Sequence, residues 1–264
     1  MVLAACTAWL FVSGPAVTSN DARPLYSLGQ THIWAGAGVS ILTAVLAVWL
    51  WRIKERKWLQ RLAWVALGVN IVEGLLGLVA DPQPPIVRIS HSLLAQVFFS
   101  MTVAMVIVTF ETGESPSDPA QNAGLLRFVA TATPILVLSQ VTLGVVFRHG
   151  VLGPLWHILW ACVVAMYLVM VIAATLGAGH SAIRRAGIAF AIVAGIQILI
   201  GFALFILMAM EADPAALIVL TSVHATAAAL TLAAAVVLAI AIGRIVPAVA
   251  APKDGERSAL ASSQ

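Results

Sequence analysis

Residues 215–242 read AALIVLTSVHATAAALTLAAAVVLAIAI, an unbroken apolar run that contains no formally charged residue. A helix of about 20 apolar residues is long enough to cross the roughly 30 Å hydrocarbon core of a bilayer. The apolar residues of this run are continuous, whereas the strand of a membrane barrel would alternate. The run therefore predicts a transmembrane helix, and one histidine, His224, lies within it.

Seven further segments share this apolar character. They are residues 2–17, 30–51, 62–80, 88–110, 127–147, 154–178 and 187–209. Of the 264 residues, 61% are hydrophobic and 9% are charged, where a soluble domain carries about 25% charged residues. This composition excludes a water-soluble globular enzyme, a disordered chain and a nucleic-acid binder that uses a basic face. We expect an all-α integral membrane protein with eight transmembrane helices.

The lysines and arginines predict the orientation of these helices. If the N-terminus is inside, eleven of the fourteen basic residues fall in inner segments: Arg52, Lys54, Arg56, Lys57, Arg61, Arg127, Arg184, Arg185, Arg244, Lys253 and Arg257. The remaining three, Arg23, Arg88 and Arg148, fall outside. Because basic residues accumulate on the cytoplasmic side of membrane proteins, we expect both termini to be cytoplasmic.

The predicted helices repeat a pattern. Three odd-numbered helices carry a long polar side chain four residues before a glycine, in the pairs Glu73 and Gly77, Gln140 and Gly144, and Gln197 and Gly201. This spacing puts both residues on one helical face, and the glycines, with Gly74, should allow close helix approach. We infer two parallel four-helix bundles, at 1–112 and 127–245, joined by a cytoplasmic linker at 113–126 and followed by a mobile cytoplasmic tail at 246–264.

Each even-numbered helix carries one histidine near its outer end: His32, His91, His157 and His224. Helices two and four are parallel, as are six and eight, so each pair of rings can face across a bundle at similar depth. Two such imidazoles form an axial pair for haem iron. Interhelical hydrogen bonding is the alternative for any one of them; a zinc site or a proton relay fits the pattern less well. His149 and His180 fall in loops.

The arrangement resembles the haem A synthase family of cytochrome oxidase assembly proteins, over residues 1–245. Residues 140–149, QVTLGVVFRH, resemble the fifth-helix motif Gln-x-x-Leu-Gly-x-x-Val-Arg-His, and residues 14–18 are its weaker counterpart. The segments that begin at His91 and His224 resemble the ligand segments of helices four and eight. The second-helix motif Glu-x-x-His-Arg departs, since here it reads Gly29-Gln-Thr-His32-Ile33. The first outer loop is also short and lacks cysteine.

The resemblance implies an oxidoreductase of the plasma or inner membrane that oxidises the C8 methyl of haem O to a formyl group. His32 and His91 would hold haem O, the substrate, and His157 and His224 would hold haem b. Haem A would be the product, and haem O synthase or terminal oxidase subunits would be partners. Because the glutamate of the second-helix motif is absent, a non-catalytic di-haem b protein for electron relay or haem delivery is the alternative.

Three charged residues complete the expected site. Glu73 lies inside an apolar span, where a carboxylate costs about 2.5–3.5 kcal/mol, so it should accept a hydrogen bond from His32 or His91, donate a proton in catalysis, or bridge two helices. Arg88 and Arg148 flank histidine-bearing segments, and a guanidinium suits the carboxylates of haem propionates. A solvated loop position is the alternative for both. A transporter built from inverted repeats disagrees with the parallel halves.

Overall fold

The computed structural model describes residues 1–17, 26–53, 56–78, 84–109 and 122–246, and these residues form eight α-helices and no strand. The helices are α1 (Val2–Val17), α2 (Tyr26–Ile53), α3 (Lys57–Leu78), α4 (Pro85–Thr109), α5 (Ala123–Arg148), α6 (Pro154–Leu176), α7 (Ser181–Ala209) and α8 (Pro214–Ile245). The all-α class predicted from the sequence is confirmed for this part of the chain.

Local sequence explains where several helices begin. Pro85, Pro154 and Pro214 each occupy a first helical position, where the missing N–H costs nothing and the fixed φ suits the helix. At the start of α8 the Asp213 carboxylate also accepts a hydrogen bond from the Ala215 N–H at 3.1 Å, as a capping residue does. The even-numbered helices that carry the histidines in the second half therefore have sharply defined starts.

Seven of the eight described helices are long and apolar enough to cross a membrane, from α2 to α8. The first helix is shorter: its 16 residues extend about 24 Å at 1.5 Å per residue. Large apolar side chains such as Met166 and Leu199 are at least 70% exposed, which suits contact with lipid tails rather than water. The chain is a multi-pass helical membrane protein with seven candidate spans where eight were expected.

The helices pack as two four-membered sets. In the first set α1 and α3 each pack against both α2 and α4, and in the second α5 and α7 each pack against both α6 and α8. The histidine-bearing helices of each set therefore stand at opposite corners. The sets meet where α4 packs on α8, and two further contacts flank this junction, an extensive one of α1 on α8 and a smaller one of α5 on α4.

Each set has its own core, and small residues join the two. Val39, Ala63 and Phe98 belong to the buried cluster of the first set, and a larger cluster of the second set includes Leu126, Phe190 and Leu238. At the junction, Phe99 of α4 packs with Ala229 and Ala233 of α8. Two alanines four residues apart lie on one face of α8, which allows α4 to approach closely.

Two predicted boundaries differ or fall outside the described chain. The fifth helix begins at Ala123, four residues before the predicted 127, so the last four residues of the predicted linker belong to α5. The rest of that linker up to residue 121, and the predicted tail from residue 247 onward, lie outside the described residues. Arg23 lies outside them as well.

Candidate functional site

Each of the four intramembrane histidines packs against a glycine of the preceding helix. A Cβ added to Gly14, Gly77, Gly144 or Gly201 would lie 3.1, 3.0, 2.9 or 2.8 Å from Cε1 of His32, His91, His157 or His224, respectively. In every pair Cε1 is the nearest ring atom and Nδ1 the second nearest. The same contact thus occurs four times, between α1 and α2, α3 and α4, α5 and α6, and α7 and α8.

His32 is held by a serine of the first helix. Its Nδ1 lies 2.9 Å from Oγ of Ser13, which is itself buried. The single hydroxyl proton of Ser13 has an acceptor in the backbone carbonyl of Trp9 at 3.1 Å. If Ser13 donates to that carbonyl, its oxygen accepts from Nδ1–H of His32, and the ring keeps a lone pair on Nε2, the form that binds a metal.

His91 contacts two oxygens of a single residue. Its Nδ1 lies 3.0 Å from the backbone carbonyl of Glu73 and 3.3 Å from Oε1 of the same side chain. A carbonyl and a carboxylate accept hydrogen bonds, so Nδ1 carries the proton and Nε2 is again available to a metal. Glu73 thus contacts His91, one of the two histidines expected for it, and a carboxylate behind an imidazole raises its basicity as a ligand.

His157 is held by a carboxamide instead. Nε2 of Gln140 lies 3.0 Å from Nδ1 of His157 and 3.1 Å from its backbone carbonyl. Oε1 of Gln140 is buried and has no hydrogen-bond partner among the described residues. Because Nε2 of Gln140 donates, Nδ1 of His157 is the acceptor in this arrangement. A half-turn that presented Oε1 to the ring would set that oxygen against the His157 carbonyl and lose the backbone hydrogen bond. Trp160 donates to Ser139 at 2.7 Å beside this pair.

His224 also contacts a glutamine of the preceding helix, but through Nε2 of the ring and not through Nδ1. Nε2 of Gln197 lies 3.3 Å from Nε2 of His224. The Nδ1 atom of the ring and Oε1 of Gln197 are both buried without a partner in the part of the chain that the structure describes. The ring faces Gly201 as the other rings face their glycines, so the difference is in the position of the Gln197 side chain.

The rings of His157 and His224 face each other across the second set of helices. Their centres are 6.4 Å apart and their planes are nearly perpendicular, at 87°. His157 is the fourth residue of α6 and His224 the eleventh of α8. The two rings are level because α7 and α8, with 29 and 32 residues, are longer than α5 and α6. In the first set, His32 lies within electrostatic range of His91.

Arg88, Arg148 and His149 meet where α4 adjoins the end of α5. Ser92, next to the ligand candidate His91, lies 3.4 Å from Nε2 of His149. Burial, followed by the charges of Arg148, Arg88 and His91, lowers the pKa of His149 to about 4. Nε of Arg88 is buried and has no partner among the described residues. The sequence placed both arginines near histidines, and the structure brings them to one junction.

Sequence patterns missed two members of this arrangement, Ser13 and His149, and predicted a close helix contact at Gly74 that the structure does not show. Ser13 was not identified because α1 has Leu10, not a glutamine or glutamate, four residues before its glycine. His149 was assigned to a loop, although its position after Arg148 in the fifth-helix motif could have drawn attention to it. Gly74 was grouped with Gly77, but nothing lies within 4 Å of a Cβ at Gly74.

The arrangement as a whole offers the facing rings of His157 and His224, two further imidazoles at His32 and His91, and two arginines near the junction of α4 and α5. Imidazole nitrogens bind transition metals, and paired arginines bind carboxylates. No protein-family model matches the chain, and no curated protein matches it.

Proposed function

We propose that this protein is a membrane haem protein of the haem A synthase type with two bis-histidine sites. The observation that carries the proposal is the fourfold glycine–histidine contact, together with the facing rings of His157 and His224. A hydrogen bond between helices needs one histidine, and it gives no reason for two rings to converge from opposite corners of a bundle. Axial ligation of an iron porphyrin requires such convergence.

The spacing of the second pair suits a shared iron. An imidazole bound through a metal–nitrogen bond of about 2.0 Å has its ring centre roughly 3 Å from the metal. The 6.4 Å between the ring centres of His157 and His224 would let both imidazoles hold the same iron. Ligation through Nε2 of His224 requires the Gln197 side chain to leave that nitrogen. Gln197 would then hydrogen-bond to Nδ1 of the same ring.

The arginine junction suits the acidic edge of a porphyrin. Haem carries two propionates, and Arg88 has a buried donor without a partner among the described residues. His149 adds no positive charge there at neutral pH, because its pKa is about 4. We assign Arg88 and Arg148 to propionate pairing, since a charged hydrogen bond to a guanidinium is about twice as strong as a neutral one.

In the proposed reaction, His32 and His91 would hold haem O as the substrate. Its C8 methyl would become a formyl group through two hydroxylations, each of which consumes O2, two protons and two electrons from an external reductant, followed by loss of water from the gem-diol. His157 and His224 would hold haem b, which would supply one-electron redox chemistry or support the fold. Glu73 acts on the first site as a positioning residue through His91. Its carboxylate is also the acid nearest that ring, which compensates for the glycine at position 29 where the family has glutamate.

The membrane placement belongs to the same proposal. We infer that α1 inserts as an eighth span, because it packs against α2, α4 and α8 and contributes Gly14 and Ser13 to the His32 contact. The basic residues place both termini in the cytoplasm, the haem sites near the outer face, and the chain in the plasma or inner membrane. A haem O synthase and terminal oxidase subunits are the partners that this chemistry calls for.

A second function, a di-haem b protein for electron relay or haem delivery, is favoured by one observation. Position 29 is glycine, and position 33 is isoleucine in place of the arginine of the family motif. Such a protein would keep all four ligands and both propionate contacts. It would need no acid beside the reacting carbon.

The test is haem analysis of the purified full-length protein. Pyridine haemochrome spectra give the haem type and stoichiometry, and extracted haems are separated by chromatography after co-expression with a haem O source. Formyl-haem that accumulates with the wild type and not with His91→Ala supports the enzyme. Two stable haem b groups without formyl product support the relay protein instead. A preparation that binds no haem ends both proposals.

A further inference from the structure

A cavity lies at the end of the first helix set that is opposite the histidines. It has a volume of about 520 Å³ and is lined by the start of α1, the end of α2, the start of α3 and the end of α4. Its walls are mostly apolar, with Leu46, Trp49, Leu59, Met105 and Val106 among the lining residues. This volume lies within the roughly 300–1,000 Å³ of small-molecule pockets.

The rim of the cavity is basic. The guanidinium of Arg56 lines it and donates a hydrogen bond to the backbone carbonyl of Val108 at 3.2 Å, which holds the cation at the mouth. Arg52, Lys57 and Arg61 are exposed on the adjoining ends of α2 and α3. An anion that entered here would meet Arg56 directly, with the other three cations on the neighbouring helix ends.

Tryptophans mark this end as the boundary between bilayer and water. Trp51 and Trp58 are 57% and 49% exposed, at the end of α2 and the start of α3. Tryptophan is enriched at the level of the lipid headgroups. The cavity therefore opens at the depth at which a phospholipid passes from phosphate to acyl chain.

We propose that this cavity binds one anionic phospholipid, with an acyl chain between the four helices and the phosphate on Arg56. The apolar walls would exclude a free phosphate, and Arg56 at the mouth, with the basic residues beside it, favours an anionic over a zwitterionic headgroup. Juxtamembrane basic clusters bind anionic lipids in this way. The proposal does not depend on haem, because the site is at the other end of the bundle.

The experiment uses the full-length protein, depleted of lipid in detergent and examined by native mass spectrometry. Dioleoyl phosphatidylglycerol and dioleoyl phosphatidylcholine are titrated in parallel, with glycerol phosphate as the headgroup without acyl chains. Since one basic residue near an anionic surface strengthens binding roughly fivefold, phosphatidylglycerol should bind at least tenfold better than phosphatidylcholine. Glycerol phosphate should not compete.

Two variants and two matched controls locate the site. Arg56→Gln should weaken phosphatidylglycerol binding roughly fivefold, whereas Arg184→Gln, an exposed arginine of α7, should not. Val106→Trp fills the cavity and should abolish binding, whereas Val169→Trp, on the exposed surface of α6, should not. If the Val106 variant fails to insert, the two arginine variants decide alone.

Three results would overturn the proposal. Equal binding of the two lipids would remove the role of the basic rim. An unchanged affinity in Arg56→Gln would place the lipid elsewhere on the protein. If glycerol phosphate competes at the same concentrations as the phospholipids, the site binds the phosphate and not the acyl chain.

Discussion

The two helix sets pack their histidines on glycine in the same way but hold them with different groups. In the first set the Nδ1 atoms contact oxygens, from Ser13 and from Glu73. In the second set both rings contact the carboxamides of Gln140 and Gln197. The shared glycine contact sets where a ring lies, and the second contact sets its proton and its basicity. One helical repeat can therefore present two sites of different electronic character.

The largest expected effect comes from breaking either pair at the iron. His157→Ala or His224→Ala should remove one haem, and His32→Ala or His91→Ala the other, because an axial ligand is lost in each case. Haemochrome quantification of the purified variants measures this as a fall from two haems to one. His180→Ala, a loop histidine, is the control, and unchanged haem content in all four variants would overturn the ligand assignment.

The second effect tests the feature that the two sets share. Gly77→Ala and Gly144→Ala should displace His91 and His157, because the new Cβ would lie 3.0 and 2.9 Å from Cε1, closer than ordinary van der Waals contact. Disturbed support of a metal ligand costs roughly 10–100-fold in affinity, which haem titration of the apoprotein can measure.

The matched control for these glycines lies in the same helix. Gly74→Ala adds the same methyl to α3, where nothing lies within 4 Å of the new atom. It also raises intrinsic helix propensity, so this variant should insert and bind haem as the wild type does. Equal haem loss in Gly74→Ala and Gly77→Ala would mean that the ring contact is irrelevant.

Much of this arrangement could be predicted from the sequence, since apolar length gives the helices and the even-helix histidines give the candidate ligands. The spacing of Glu73 to Gly77, and of two glutamines to their glycines, predicts which face of three odd helices turns toward the histidines, because residues four apart lie on one side of a helix. What could not be predicted depends on helix rotation and on contacts between distant segments. Ser13 reaches His32 through the packing of α1 on α2, and His149 reaches Ser92 only because α5 adjoins α4.

The third effect exchanges the contacts that distinguish the two sets. Glu73→Gln should raise the reduction potential of the first site, because it removes an anionic acceptor that makes His91 a stronger donor to ferric iron. Gln140→Glu should lower the potential of the second site for the same reason. Potentiometric titration measures both, and a one-electron couple shifts by about 59 mV for each tenfold change in relative affinity. Shifts of the same sign in both variants would contradict this account.

The smallest effect concerns His149, which lies between the two sets. Its pKa in the folded protein is about 4, below the value of about 6.5 for a free histidine. Between these two pKa values the unfolded chain binds the proton more readily than the folded protein. The contribution of neutral His149 to stability is therefore present above pH 6.5 and is lost as the pH falls through 4.

Thermal unfolding in detergent between pH 7 and 4 should show a decline in Tm. His149→Gln should flatten that decline, because the variant has no imidazole to protonate beside Arg88 and Arg148. If the decline is the same in both proteins, His149 is not held neutral by burial at the junction of α4 and α5 and by the arginines beside it.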